Sequence, residues 1–138
     1  MPDIKDYNSQ LIEKFRTTRD NTGNPLDGRP LLLLTTTGAR TGLPRTIPLT
    51  AVQTANRLLI VASNGGAPTD PAWYHNLLAH PDVTVEVGRE TFPATASLVP
   101  ASERPNLWAK VVELFPFYGD YQAKVDREIP LIELERAA

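Results

Sequence analysis

The chain has no cysteine and only two histidines, His75 and His80. Disulfides, thiolate nucleophiles and cysteine-ligated zinc are therefore excluded, and a histidine-rich metal centre has too few ligands. Neither sign of charge predominates: 14 Lys and Arg stand against 16 Asp and Glu, a formal net charge of −2. Binders of the nucleic-acid phosphate backbone present a strongly basic face, so nucleic acid is not expected as a partner. The longest uninterrupted apolar run, Leu31 to Leu34, is far short of the ~20 residues that cross a bilayer. The opening MPDIKDYNSQ lacks the apolar centre of a signal peptide, so a cytoplasmic protein is expected.

Proline, by contrast, is abundant. There are 13 in 138 residues, roughly twice the usual share, and they are scattered instead of forming a PxxP tract. That distribution predicts many short elements joined by stiff turns. The length predicts one domain over residues 1–138, with a core large enough to need no staples. Residues 1–29 read as an N-terminal helix and loop, and residues 30–138 as the body.

Ile4, Tyr7, Leu11, Ile12 and Phe15 recur at helical steps behind a possible Asp3 cap, which predicts an amphipathic helix lying on a core. Asp20 to Arg29 is a loop on composition. Leu31 to Thr37 and Thr46 to Val52 read as a β-hairpin; because Leu31 to Leu34 does not alternate, that strand should be buried on both faces. Further strands are expected at Arg57 to Ala62, Val83 to Val87 (half-exposed, since Thr84 and Glu86 alternate with valines), Glu90 to Val99 and Pro130 to Leu134. Helices are expected from Pro71 to His80, Ala101 to Phe115 and Tyr118 to Arg127. The strands cluster too tightly for repeated βαβ units. The fold class is therefore α+β, a small barrel of about six mostly antiparallel strands with helices packed outside.

Four stretches can carry chemistry. In TTTGARTGLPR, from Thr35 to Arg45, two glycines flank Arg40 and Thr41, so backbone N–H groups and a guanidinium can converge on an oxyanion. It is not a P-loop, since no GK[ST] follows Gly38 at the required spacing. VASNGGAP, from Val61 to Pro68, runs a strand into small residues where a flat ligand or a phosphate can approach the backbone. Ser63 there lacks the GxSxG elbow of a serine hydrolase. In AWYHNL, from Ala72 to Leu77, adjacent Trp73 and Tyr74 point about 100° apart on a helix, so one can be core while the other lines a groove. His75 alone reads as a surface or satisfied core residue. Finally, FPFYGDYQAKVDREIP, from Phe115 to Pro130, places Tyr118 and Tyr121 at i, i+3, where they can wall an apolar pocket with two hydroxyls.

Taken in order, TTTGARTGLPR, ASNGGAP, AWYHN and YxxYQxKxDRxIP resemble the deazaflavin (F420)-dependent nitroreductase family, within the split β-barrel flavin and deazaflavin oxidoreductases. The likeness runs from about Leu31 to Leu134. It implies a split barrel that binds the reduced 8-hydroxy-5-deazaflavin coenzyme F420. It also implies hydride transfer to an electrophilic acceptor: a quinone, an activated alkene or a nitroaromatic. Carried over by position, it implies that Ala39, Arg40, Thr41 and Arg45 face the coenzyme's phosphate and acidic tail. Thr46, Pro48, Leu49 and Thr50 would run along the ring and ribityl chain. Ala62, Ser63 and Asn64 would lie by the ring and phosphate, and Trp73, Tyr74 and Asn76 would close over the coenzyme. Tyr118 and Tyr121 would edge the acceptor pocket and, with Ser63, make up the candidate catalytic set. No metal is expected, and membrane contact is expected only with a lipid quinone as acceptor.

This chain departs from that pattern at identifiable positions. Many relatives carry lysine where it has Asn64 or Thr69, which leaves the coenzyme-facing charge on Arg40 and Arg45. Some nitroimidazole-reducing relatives have tyrosine where it has Phe115, which would remove a hydroxyl from the pocket. A non-catalytic F420 carrier and a related barrel binding FMN or haem are the alternatives the residues leave open.

Overall fold

The structure, a computed structural model, describes residues 4–18, 30–54 and 56–137. The expected Asp3 cap and the loop from Asp20 to Arg29 lie outside the described residues, as do the side chains of Ile4 and Tyr7. The elements run α1 (Ile4–Thr18), β1 (Leu31–Thr37), β2 (Pro44–Thr50), β3 (Val52–Thr54), β4 (Arg57–Val61), a 3₁₀ turn (Asn64–Gly66), α2 (Ala72–Ala79), β5 (Asp82–Val87), β6 (Glu90–Leu98), α3 (Arg104–Leu114), α4 (Phe117–Lys124) and β7 (Leu131–Arg136).

The strands form one curled sheet in the order β2-β1-β5-β6-β7-β4-β3, with every pairing antiparallel. The expected single strand from Thr46 to Val52 divides at Ala51: its N–H still donates to Pro30 O at 2.9 Å in register with β1, whereas Val52 already pairs with Leu59 of β4. Its two halves, β2 and β3, end up on opposite edges of the sheet while remaining continuous in the chain. The sheet can do this only by curling, so the bend at Ala51 draws its two edges together into the half-barrel.

Two-residue periodicity sorts the core. Leu32 and Leu34 of β1 pack inside the curl with Ile60, Ala62, Trp73, Val83, Val85 and Ile132. Leu31 and Leu33 point the other way and are buried beneath Phe15 of α1, with Ile12 beside them. Both faces of β1 are thus covered, which is why its apolar run does not alternate. On the outer face of β3, β4 and β7, Val52, Leu59 and Leu131 meet Leu107 and Val111 of α3 and Tyr118 of α4.

Covering the outer face also changes the character of β5. Glu86, expected on an exposed face, is buried, because Arg16 of α1 reaches over it with two hydrogen bonds, Nε to Oε1 at 3.1 Å and Nη2 to Oε2 at 2.8 Å. This bidentate bond raises the Arg16 pKa, the carboxylate's charge adds to it, and partial burial works the other way. α4 ends at Lys124, three residues short of the expected Arg127, with Val125 already extended. Among the described residues no helix is long and apolar enough to cross a membrane.

Candidate coenzyme site

A cavity of ≈ 1180 Å³ opens between the β1–β2 turn, β2, the segment after β4 and the start of α2. Small-molecule sites usually occupy about 300–1,000 Å³, so a flat tricyclic group and an acceptor can share this one.

The β1–β2 turn forms one wall. Gly38 N–H donates to Leu43 O at 2.8 Å, Gly42 N–H to Gly38 O at 2.9 Å, and Leu43 N–H to Thr41 Oγ1 at 3.2 Å. Gly42 holds φ +71°, a conformation that glycine adopts without Cβ strain. A further tie comes from α2: Ala39 N–H donates to Asn76 Oδ1 at 3.0 Å, while Asn76 Nδ2 donates to Thr36 Oγ1 at 3.3 Å. Deeper in the hairpin the Thr35 and Thr46 hydroxyls meet at 2.7 Å. The amides of Gly38, Ala39, Gly42 and Leu43 are thus spent within the scaffold, and the guanidinium groups of Arg40 and Arg45 bring the positive charge to this wall. Arg40 and Arg45 are both exposed and line the cavity, and among the described residues neither has an ion-pair partner.

The opposite wall is the segment after β4. Asn64, Gly65 and Gly66 follow one another at φ 51°, 65° and 85°, with Gly66 N–H donating to Ser63 O and Ala67 N–H to Asn64 O. The Asn64 side chain donates to Thr69 O at 3.1 Å, so it closes its own loop. Gly66 sits under Tyr121: a Cβ there would fall 3.0 Å from Tyr121 Cδ1.

Of the residues singled out from sequence, Ala39, Arg40, Thr41, Arg45, Thr46, Pro48, Leu49, Thr50, Ser63, Asn64, Trp73, Asn76 and Tyr118 line this cavity. Ala62, Tyr74, Tyr121 and Phe115 do not. Ala62 has the opposite parity to Val61 and Ser63, so its side chain enters the inner core while theirs face the cavity. Tyr74 packs at the edge of that core. Its phenol pKa is raised by burial and then by the nearby Asp70 carboxylate. Tyr121 covers Gly66 and stacks edge-on with Phe117 and Tyr118. Phe115 meets the Tyr118 ring edge-on at 6.2 Å, supporting that tyrosine from behind. Asp70, Pro71, Ala72 and the exposed His75 also line the cavity, unassigned from sequence; Pro71 and Ala72 mark the helix start, the one local signal that pointed there.

Two guanidiniums without ion-pair partners among the described residues, sharing the cavity with Ile47, Pro48, Leu49, Val61 and Trp73, suit a ligand with a flat ring and a negatively charged tail. The comparisons with known proteins agree. The family model described as F420H(2)-dependent quinone reductase matches residues 9–136. The chain belongs to that family. An F420H(2)-dependent quinone reductase of Mycobacterium tuberculosis is 43% identical over 126 residues, covering 88% of this chain and 85% of that protein. A solved F420-H2 dependent reductase is 42% identical with TM-score 0.71, over 78% of this chain and 95% of the other. The haem storage protein HutZ of Vibrio cholerae is also similar, at 20% identity and TM-score 0.60, over 93% and 91% of the two chains; at that identity the likeness is one of fold. Family membership makes this split-barrel protein an F420-dependent oxidoreductase.

Proposed function

We propose that the cavity holds reduced F420 along β2 and that the chain passes its reducing equivalents to a quinone seated beside Tyr118, within one split-barrel domain. The single observation that carries this reading is the presence in one cavity of two arginines with no ion-pair partner among the described residues and an apolar, tryptophan-bearing lining. When bound, reduced F420 supplies a hydride from a ring carbon.

Each group in the cavity then has a task that follows from its chemistry. Arg40 and Arg45 bind the phosphate and acidic tail, and their long side chains let them follow a flexible chain of charges. Ile47, Pro48, Leu49 and Val61 exclude water from the faces of a flat ring. Trp73, buried and fixed in the inner core, keeps that surface rigid, so reacting groups are oriented instead of searching for one another. Thr46 and Thr50 on β2, with Ser63 opposite, offer hydroxyls for ring or ribityl oxygens. Tyr118 is buried among Phe115, Phe117 and Tyr121, and its phenol holds a proton to meet the oxyanion that develops on the acceptor. Tyr121, outside the cavity walls, serves by packing.

The test is to mix the protein with reduced F420 and follow coenzyme oxidation on addition of a quinone, and separately of a nitroaromatic. Quinone-dependent oxidation in the parent, slowed by Tyr118→Phe while F420 affinity is retained, is the expected result. Binding without oxidation by any acceptor would point to a carrier. A Tyr118→Phe variant as fast as the parent would remove the tyrosine from the chemistry.

A further inference from the structure

Behind the Ser63–Asp70 wall lies a side chain that does not itself line the cavity but holds much of its shape. Arg127 sits at a bend between α4 and β7, 57 to 65 residues beyond its partners in the chain. Its Nε donates to Ala67 O at 3.3 Å. Nη1 donates to Ala62 O at 3.3 Å and to Asp70 Oδ1 at 2.7 Å. Nη2 donates to Ser63 O at 2.9 Å and to Ala67 O at 3.1 Å. A guanidinium has five N–H groups, and all five are committed. Arg127 is held in turn from α4, where Gln122 Nε2 donates to Arg127 O at 2.7 Å and Gln122 Oε1 accepts from Ile129 N–H at 2.9 Å.

We infer that Arg127 is a positioning residue with two separable tasks: fixing the backbone of the Ser63–Asp70 wall, and cancelling the charge of Asp70 so that an anionic coenzyme can enter. The second task follows from where Asp70 lies. It lines the cavity, and a bare carboxylate there would repel the phosphate and tail that Arg40 and Arg45 attract. The Arg127 side chain is mostly covered, with 16% exposure against 27% for Asp70, so solvent screens the pair only in part. The first task follows from geometry. Asn64, Gly65 and Gly66 all have positive φ, and a run of this kind has little stiffness of its own. Three carbonyls from this segment and its flanks converge on one rigid fork, which a lysine with its single ammonium cannot reproduce.

The inference rests on the coenzyme reading above, and its test separates the two. Arg127→Met, Arg127→Lys and the double variant Asp70→Asn/Arg127→Met are compared with the parent. Hydrogen exchange at the Gly66 and Ala67 amides is read in the coenzyme-free protein, and F420 affinity is read by fluorescence at low and high salt. In Arg127→Met both amides should exchange about tenfold faster or more, and F420 binding should weaken about tenfold at low salt. Adding Asp70→Asn should recover part of that affinity at low salt and little at high salt, without slowing the exchange. Arg127→Lys, which keeps the cation and is the more conservative change should methionine prevent folding, should show fast exchange with the smaller loss of affinity. Unchanged exchange in both single variants would overturn the clamp. No recovery by Asp70→Asn would overturn the charge-cancelling task. Failure of the parent to bind F420 would overturn the coenzyme reading and that task together, whereas the exchange measurements would still decide the clamp.

Discussion

The two walls of the cavity use arginine in opposite ways. In the β1–β2 turn the backbone is closed by its own amides and by Asn76, so Arg40 and Arg45 are left without ion-pair partners among the described residues and available to a ligand. In the Ser63–Asp70 segment the local hydrogen bonds leave the Ala62, Ser63 and Ala67 carbonyls to be met from outside, and Arg127 gives every side-chain donor it has to those three carbonyls and a carboxylate. The same functional group recognises an anion where its donors are free and shapes a wall where they are spent. Which role an arginine plays is decided by the acceptors around it more than by its distance from the site.

Predictions can be ordered by how hard they press on this contrast. Removing both arginines, Arg40→Ala with Arg45→Ala, should weaken F420 binding by at least about 100-fold at low salt, since charge-assisted contacts contribute on the order of 1.5–3 kcal/mol each. The urea midpoint should barely move, because surface changes of this kind stay within about 0.5 kcal/mol. A large loss of stability would show that the turn's arginines are structural after all. Gly66→Ala attacks the other wall. Its new Cβ meets the Tyr121 ring at 3.0 Å on a backbone held at φ +85°, so it should cost about 1–3 kcal/mol in urea unfolding. Asn76→Ala should cost about 1 kcal/mol for its two scaffold hydrogen bonds and speed exchange at the Ala39 amide; an unaltered amide would mean that the turn stands without α2.

The smallest effect is expected far from both walls, at Arg57 and Glu103, joined at 2.7 Å. The Glu103 carboxyl lies below its ordinary pKa, chiefly through the hydrogen bond from Arg57, against an opposing effect of desolvation and with a lesser contribution from the guanidinium's charge. A carboxyl depressed on folding contributes stability that is present above its unfolded pKa and is lost as pH falls through the folded one. Glu103→Gln should therefore be slightly less stable than the parent near neutrality, the gap closing in acid, with F420 affinity unchanged. A gap that widens in acid would contradict the sign.

How much of this was legible in the sequence depended on how local each feature is. The unalternating leucines of β1 announced burial on both faces, and α1 with Phe15 supplies the second cover. The hairpin turn was legible because its glycines, arginines and threonines are neighbours in sequence. Ala62 and Ser63 are adjacent in the chain, yet strand parity sends one inward and the other to the cavity. Tyr118 and Tyr121, about 60° apart around a helix, share a face only loosely, and the cavity edge reaches just the first. The splitting of one expected strand at Ala51 depends on a change of partner, β2 pairing with β1 and β3 with β4, and the burial of Glu86 on an arginine 70 residues earlier. Arg127 stood in the quoted DRxIP block without a role, because a side chain reaching across the fold leaves no periodic trace.

The measurement that tests the central claim most directly is an equilibrium titration of the protein with F420, run beside FMN. The account predicts saturable F420 binding that weakens with added salt and is much tighter than FMN binding. Equal or stronger FMN binding, or F420 binding indifferent to salt and to the loss of Arg40 and Arg45, would contradict it.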